Sequence, residues 1–463
     1  MGDVCESHAA DGRGPKTHRP PGVDRGVRVE ELSRYGESVG GVVCPPVRPW
    51  GDSTAFGEPG GRYQGPTWND TSPPAIPWPK PIVSVTPEGR TRLKAFDQFV
   101  VKLHSRCNLA CDYCYVYELQ DTGWRDRPRT MPEAVRERLL ERIAEHVRQH
   151  RPSHVQVALH GGEPLLAGRD VIARFSAAAR RVVAAAGAEA EIVLQTNGVL
   201  LDDPALETLL HHGIRVGVSL DGDERSHDRH RRGPAGGRHR GSHARVTAGL
   251  ARLTAPRYRH LFAGLLCVVD PAAGDAADVF DALAGHAPPA IDFLLPYGTW
   301  DHPAPGAGSG AHGRWLCAAF DHWWATGRPT RVRLFESIMA QCQYGAGSSS
   351  EVIGTLPAAA VVVESDGSIT WAGSLNAVAD GAAQTGGTIF SHSFDAVLSL
   401  PGAPEHGVAA LCRTCRECPL VTVCGAGLRA HRHGRGRGFA NPSVYCRDLS
   451  LLIRHIQTRV KGY

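Results

Sequence analysis

Short alternating blocks of apolar and polar residues begin near residue 96, and stretches with helical spacing separate them. Residues 99–103 predict a first strand, and the alternation over 155–159 predicts a second one. Between them, apolar residues recur at every fourth position over 135–147, which predicts a helix. Thr130 with Glu133 has the spacing of a capping box at the start of that helix.

The same rhythm continues along the chain. Further strands are predicted at 192–194, 216–220, 261–269 and 291–295, with helices near 205–211 and 244–253. Alternation of this kind builds a parallel sheet with helices outside it, and functional groups collect at the carboxyl ends of the strands. We therefore predict an α/β fold with a partial (β/α)6 TIM-type barrel.

Four segments differ in composition. Residues 1–90 are rich in Gly and Pro without periodicity and are predicted to be mostly disordered. Residues 91–310 form the predicted barrel, and 311–356 hold bridging helices at 314–326 and 331–343. Residues 357–463 have a predicted hairpin near 365–368, many loops and a second group of cysteines, as expected for a small domain organised around metal.

Size and charge exclude several classes of protein. The 463 residues carry a net charge of only +4 with 21% charged residues, which argues against a nucleic-acid surface or a basic membrane anchor. Neither a signal peptide nor a long apolar span is evident, so we expect a soluble cytoplasmic protein. In a reducing compartment, the 13 cysteines are expected to be ligands or core residues rather than disulfides.

Cys107, Cys111 and Cys114 form a C-x3-C-x2-C pattern directly after the first strand. Three thiolates without a fourth suggest a [4Fe-4S] cluster with one iron free for a small molecule. A zinc knuckle, part of a disulfide framework or ordinary buried thiols would give the same spacing.

Polar or glycine-rich segments follow the later strands. Gly161 and Gly162 allow close approach of the backbone to a ligand, and Glu163 can accept a hydrogen bond from an amine. Asp221 follows the fourth strand, and Arg231 offers a fork that suits a carboxylate. A plain βα turn and a solvated basic run are the alternatives.

In this order, the motifs resemble those of radical S-adenosylmethionine (SAM) enzymes. The resemblance implies that the three cysteines hold a [4Fe-4S] cluster and that its open iron binds SAM. It also implies a set of SAM-contacting residues, two of which, Tyr113 and Val268, are equally explained by core packing. The set is Tyr113, Gly161, Gly162, Glu163, Ser219, Asp221, Arg231 and Val268.

The second group of cysteines resembles a SPASM-type extension, which carries auxiliary iron–sulfur clusters. This chain departs from it, since the turn at 425–428 lacks the further cysteine that many members have there, and the hairpin near 365–375 has none. We predict one auxiliary [4Fe-4S] cluster, and a zinc ribbon is the alternative. The preferred ligands are Cys415, Cys418, Cys424 and Cys446, with Cys412 as a fifth candidate.

The segment 427–449, together with residues 102–107 and Trp124, resembles the FxsB-like branch of radical SAM/SPASM maturases. That branch forms three-residue cyclophanes in ribosomally synthesised precursor peptides, so we expect such a peptide and a flavodoxin- or ferredoxin-type reductant as partners. The deoxyadenosyl radical would abstract a β-hydrogen, and the carbon radical would attack an aromatic ring. Formylglycine-forming and thioether-forming maturases, or an inactive zinc- or peptide-binding module, are the alternatives. His431 and Asp221 are weak candidates for the general base, which stays unassigned.

Overall fold

A computed structural model of the chain describes residues 83–233, 241–344, 351–400 and 403–461. Most of the predicted disordered segment, 1–82, lies outside these residues. Its last part is ordered, because residues 83–93 form a small antiparallel hairpin in which Val83 pairs with Leu93. The domain boundaries at 90, 310 and 356 stay predictions.

The strands of the described residues fall into the hairpin β1–β2 and one large sheet. That sheet has the order β12-β11-β10-β3-β4-β5-β6-β7-β8-β9, and β3 to β8 are neighbours in chain order and parallel. This confirms the predicted α/β fold with a parallel sheet. The strands are β1 (Val83–Val85), β2 (Thr91–Leu93), β3 (Gln98–His104), β4 (His154–Gly161), β5 (Glu189–Thr196), β6 (Arg215–Ser219), β7 (Phe262–Val268), β8 (Ala290–Leu294), β9 (Arg331–Val332), β10 (Ala360–Val363), β11 (Ser368–Thr370) and β12 (Gln384–Thr388).

Helices alternate with the parallel strands and continue into the C-terminal part. Every helix of the described residues is too short or too polar to cross a lipid bilayer. The helices are α1 (Glu133–His150), α2 (Arg169–Ala185), α3 (Asp203–His211), α4 (Glu224–His230), α5 (His243–Leu253), α6 (Ala276–Ala284), α7 (Ala311–Ala325), α8 (Arg333–Tyr344), α9 (Phe394–Leu398), α10 (Arg413–Arg416), α11 (Val421–Cys424) and α12 (Cys446–Lys461).

The capping box predicted for α1 is wrong. Pro132 is the N-cap residue and no side chain caps the helix. Thr130 instead forms an isolated β-bridge with His104, and so its backbone continues the extended segment before the helix. The proline suffices to start the helix because its fixed φ suits a helix entry.

The two faces of the parallel strands differ in polarity. One face is apolar, and Phe99, Val101 and Leu103 on β3 are fully buried in the core that also holds the inner residues of α1. On the other face, Gln156 donates to Glu191, and Arg215 donates to the same carboxylate, both at 2.8 Å. These polar side chains close the amino ends of β4 to β6 and leave the inner face to be used at the carboxyl ends.

The C-terminal hairpin belongs to the same sheet as the barrel strands. β10 pairs in parallel with β3, with Val363 opposite Val101, so Glu364 follows at the level of Lys102. Lys102 Nζ lies 2.9 Å from the Glu364 carboxylate, and both side chains are only 3% exposed. A charge from the C-terminal segment is therefore buried at the carboxyl end of the first barrel strand.

Candidate active site

The first three cysteines lie on a loop between β3 and α1, and the backbone holds this loop against two other strand ends. The Cys114 amide donates to the Cys111 carbonyl at 2.9 Å, and the Ala110 amide donates to the Arg232 carbonyl at 2.8 Å. The Glu163 amide, after β4, donates to the Arg106 carbonyl at 3.0 Å. The loop is thus fixed by its neighbours before any ligand is considered.

Burial raises the pKa of Cys107 to about 11 and that of Cys111 to about 12. Cys114 and Cys107 add electrostatic repulsion to Cys111, so the three sulfurs are close enough to influence one another, while Arg231 acts in the opposite direction. A metal that binds here must displace the protons of these thiols. Three soft donors on one loop fit an iron–sulfur cluster.

Gly161 and Gly162 allow the end of β4 to touch the cysteine loop. A Cβ atom on Gly161 would lie 2.1 Å from the His104 carbonyl oxygen. On Gly162 it would lie 1.9 Å from the Tyr117 hydroxyl and 2.4 Å from the Arg106 carbonyl oxygen. Both glycines are therefore required by close contact within the protein, in addition to any approach to a ligand.

Glu163 is fully buried and joins the ends of β4 and β5. Its carboxylate accepts hydrogen bonds from the Leu165 amide at 3.0 Å, the Thr196 hydroxyl at 2.8 Å and the Asn197 amide at 2.9 Å. Burial raises the pKa of Glu163 to about 7, and these hydrogen bonds oppose the increase. Most lone pairs of the carboxylate already accept hydrogen bonds from the protein, so a bound amine would donate to those that are left.

Asn197 directly follows β5 and was not among the predicted site residues. Its side-chain amide donates to Asn108 Oδ1 at 2.7 Å and lies 3.6 Å from Cys107 Sγ. A sequence pattern gives no such partner, because the contact depends on how the cysteine loop folds over β5. Asn197 therefore orients a thiol that is a predicted ligand.

Four of the predicted SAM-contacting residues form one hydrogen-bonded network. The Tyr113 hydroxyl donates to Asp221, whose other oxygen accepts the Val268 amide at 3.0 Å, and Arg231 Nη1 donates to the Tyr113 hydroxyl at 2.7 Å. Arg231 Nε is buried and has no hydrogen-bond acceptor among the described residues. An unpaired buried guanidinium nitrogen fits an anionic group such as a carboxylate.

Ser219 is the last residue of β6, and its hydroxyl accepts a hydrogen bond from Gln195 on β5 at 3.1 Å. The predicted residues on β4, β6 and β7 and on the loop after β3 thus converge on one edge of the sheet. Their individual roles in binding SAM stay predictions.

The second cysteine group is also brought together by the fold. Burial raises the pKa of Cys415, and repulsion from Cys412, Cys446 and Cys424 adds to the increase. Burial raises the pKa of Cys424 to about 11, with Cys418 adding repulsion. These thiols therefore influence one another electrostatically, but no three of their sulfurs all lie within 4.8 Å of one another, and the metal that they would hold is a prediction.

The fold and the first cysteine site are those of a radical SAM domain. Residues 101–240 match the Radical SAM superfamily. The chain is 27% identical over 333 residues to the serine-type anaerobic sulfatase-maturating enzyme of Klebsiella aerogenes, which covers 71% of this chain and 78% of that protein.

Several solved structures share its fold. The anSMEcpe structure with bound AdoMet and the Cp18Cys peptide gives a TM-score of 0.65 at 21% identity, covering 79% of this chain and 98% of that one. Streptococcus suis SuiB bound to its precursor peptide SuiA gives 0.52 at 13% identity, covering 76% of each chain.

Proposed function

We propose that this radical SAM enzyme is a maturase of a ribosomally synthesised precursor peptide. It would remove a β-hydrogen from one residue and join that carbon to an aromatic side chain, which forms a cyclophane. The observation that carries the proposal is the convergence of three thiols, an acidic group and an unpaired buried arginine nitrogen at the carboxyl ends of β3 to β7.

The first site has residues suited to both cofactors. Cys107, Cys111 and Cys114 would hold the [4Fe-4S] cluster, which with SAM supplies a 5′-deoxyadenosyl radical that takes a hydrogen atom from the substrate. Arg231 Nε would bind the SAM carboxylate, and the remaining acceptor capacity of Glu163 would receive the amine. Gly161, Gly162 and Ser219 would shape the cleft, and Tyr113 with Asp221 would hold Arg231 in place.

The second site would serve the oxidative half of the reaction. After the new carbon–carbon bond forms, the aromatic ring must lose one proton and one electron to recover its aromaticity. An auxiliary [4Fe-4S] cluster on Cys415, Cys418, Cys424 and Cys446 would accept that electron, and Cys412 would be a fifth donor. A flavodoxin- or ferredoxin-type protein would supply the electron that starts the reaction.

The sulfatase-maturating enzyme of Klebsiella aerogenes, 27% identical to this chain, favours a second candidate function, the oxidation of a serine or cysteine to formylglycine. Both reactions on a serine- or aromatic-containing peptide remove two hydrogens, so mass alone does not separate them. An aldehyde reacts with hydroxylamine, whereas a crosslinked ring does not and blocks fragmentation between its two ends.

The test is anaerobic reconstitution with iron and sulfide, followed by incubation with SAM, a reductant and peptides encoded beside this gene. We expect deoxyadenosine and a peptide two hydrogens lighter that resists fragmentation and hydroxylamine. A product that reacts with hydroxylamine would show that the enzyme forms formylglycine and not a crosslink. Equal absence of deoxyadenosine from wild type and Cys107→Ala would support an inactive binding module.

A further inference from the structure

His160 lies at the carboxyl end of β4, directly opposite Lys102 on β3, and the alternation of the strand puts it on the inner side of the sheet. Its ring Nδ1 lies 3.2 Å from the Gly161 carbonyl oxygen, which can only accept. Nδ1 therefore carries the hydrogen, and Nε2 keeps its lone pair. Nε2 has no hydrogen-bond partner within the described parts of the chain, while the side chain remains partly exposed.

The surroundings of His160 keep the ring neutral. Burial lowers the pKa of His160 to about 4, and the Lys102 ammonium lowers it further, while the Gly161 hydrogen bond and Glu364 act in the opposite direction. Glu364 is itself held by Lys102 and Arg127, at 2.9 and 3.2 Å. The ring is therefore an unprotonated base at neutral pH, with a fixed tautomer.

Other candidates for a base are less available. Asp221 accepts from Tyr113 and Val268, and Glu163 accepts three hydrogen bonds. His431 is only 2% exposed and packs between the rings of Tyr297 and Tyr445. His160 combines an open lone pair with a position at the carboxyl end of a central strand, next to Gly161.

We propose that His160 Nε2 is the general base of the peptide oxidation, an inference that rests on the proposed function. The β-carbon loses a hydrogen atom to the deoxyadenosyl radical and bonds to an aromatic carbon of the peptide. The C–H bond of that ring carbon then breaks, its proton goes to Nε2, and one electron goes to an iron–sulfur cluster.

The protonated ring needs no reorientation, because Nδ1–H continues to donate to the Gly161 carbonyl. A ring carbon that regains aromaticity loses its proton readily, so a base of low pKa suffices and releases the proton easily afterwards. Formylglycine formation also removes one hydrogen atom, one proton and one electron, so His160 would have the same role there.

The test compares three variants: His160→Gln, His160→Ala, and His322→Gln as a control on the exposed side of α7, where His322 pairs with Asp281. Iron content and melting temperature establish that each variant folds and loads. With a β-deuterated peptide as substrate, three quantities are measured: the amount of deoxyadenosine, the deuterium that the deoxyadenosine contains, and the amount of modified peptide.

We expect His160→Gln to keep deoxyadenosine formation and deuterium transfer while modified peptide per deoxyadenosine falls about 100-fold or more, the usual contribution of a general base. Added imidazole should restore product to His160→Ala, more strongly as pH rises through the pKa of imidazole. Parallel loss of deoxyadenosine and product, an unchanged ratio, or no rescue by imidazole would each overturn the assignment.

A second readout needs no cofactor. Nitrogen NMR of histidine-labelled protein, assigned by difference with His160→Gln, should show an unprotonated Nε2 at pH 7, and an unprotonated Nδ1 would contradict the proposal. Wild type that cleaves SAM but modifies no peptide would refute the proposed function instead. An aldehyde product would mean that the reaction is formylglycine formation. The amount of modified peptide per deoxyadenosine in the His160 variants would still test the role of His160 as the base.

Discussion

Gly162→Ala should disrupt the contact between the end of β4 and the cysteine loop. The new Cβ would lie 1.9 Å from the Tyr117 hydroxyl and 2.4 Å from the Arg106 carbonyl oxygen. Ordinary carbon–oxygen contacts begin near about 3.3 Å, so the backbone of Arg106 must move by roughly 1 Å. Arg106 precedes Cys107, and its carbonyl also accepts the Glu163 amide.

Overpacking of this kind costs about 1–3 kcal/mol, and the loss of backbone freedom in the unfolded chain returns about 0.5 kcal/mol. Because one of the two clashes is with backbone, we expect a net loss of about 2 kcal/mol in the free energy of unfolding. Displacement of Cys107 should also lower iron loading and deoxyadenosine formation.

The assay is denaturant unfolding of the unloaded protein, followed by iron content and SAM cleavage after reconstitution. Gly123→Ala is the matched control, since its Cβ would approach no closer than 3.6 Å to the Asp121 carboxylate. Unfolding free energy and iron loading equal to those of Gly123→Ala would refute the reasoning, because the β4 end would then tolerate a side chain.

Three further predictions concern buried charge and the second cysteine group. Glu364→Gln should lower the unfolding free energy by about 3–5 kcal/mol, because it leaves Lys102 buried without its carboxylate partner. The double variant Lys102→Met/Glu364→Gln should recover part of this loss. Equal stability of Glu364→Gln and wild type would contradict the prediction. Burial raises the pKa of Glu163 to about 7 from 4.5, so the folded chain binds this proton more tightly than the unfolded chain does. The stabilising contribution of the carboxyl group should therefore fall by about 3 kcal/mol as the pH rises from 4.5 to 7. The unfolding free energy of Glu163→Gln should accordingly depend less on pH than that of wild type. Cys446→Ser should lower iron content per chain, whereas Cys267→Ser should not, and equal iron in both would argue against the second site.

Local patterns predicted the parallel strands because their residues alternate or form apolar blocks that a short window detects. The helix Arg169–Ala185 went unpredicted, although its buried residues Ile172, Phe175, Ala179 and Val183 recur at helical spacing, so the local signal was present and was missed. The strands β5 and β4 extend further than predicted, since polar residues such as Gln156 and Glu191 satisfy one another on the inner face.

Contacts between distant segments had no local signal. Lys102 and His160 are neighbours only because of the register between β3 and β4, and the Lys102–Glu364 pair depends on a strand more than 250 residues further along the chain. The predicted SAM-contacting residues could be proposed because their motifs resemble those of radical SAM enzymes, whereas Asn197 and the base candidate His160 needed the side-chain geometry.

The parallel pairing of β10 with β3 also affects how the chain folds as it is synthesised. β3 leaves the ribosome early, but the strand that covers its outer edge follows about 260 residues later. Until then β3 presents unpaired backbone groups, a recognised route to aggregation, and Lys102 lacks its counter-ion. A fragment that ends after β8 would keep this open edge permanently, so we expect the barrel to express poorly without the C-terminal hairpin.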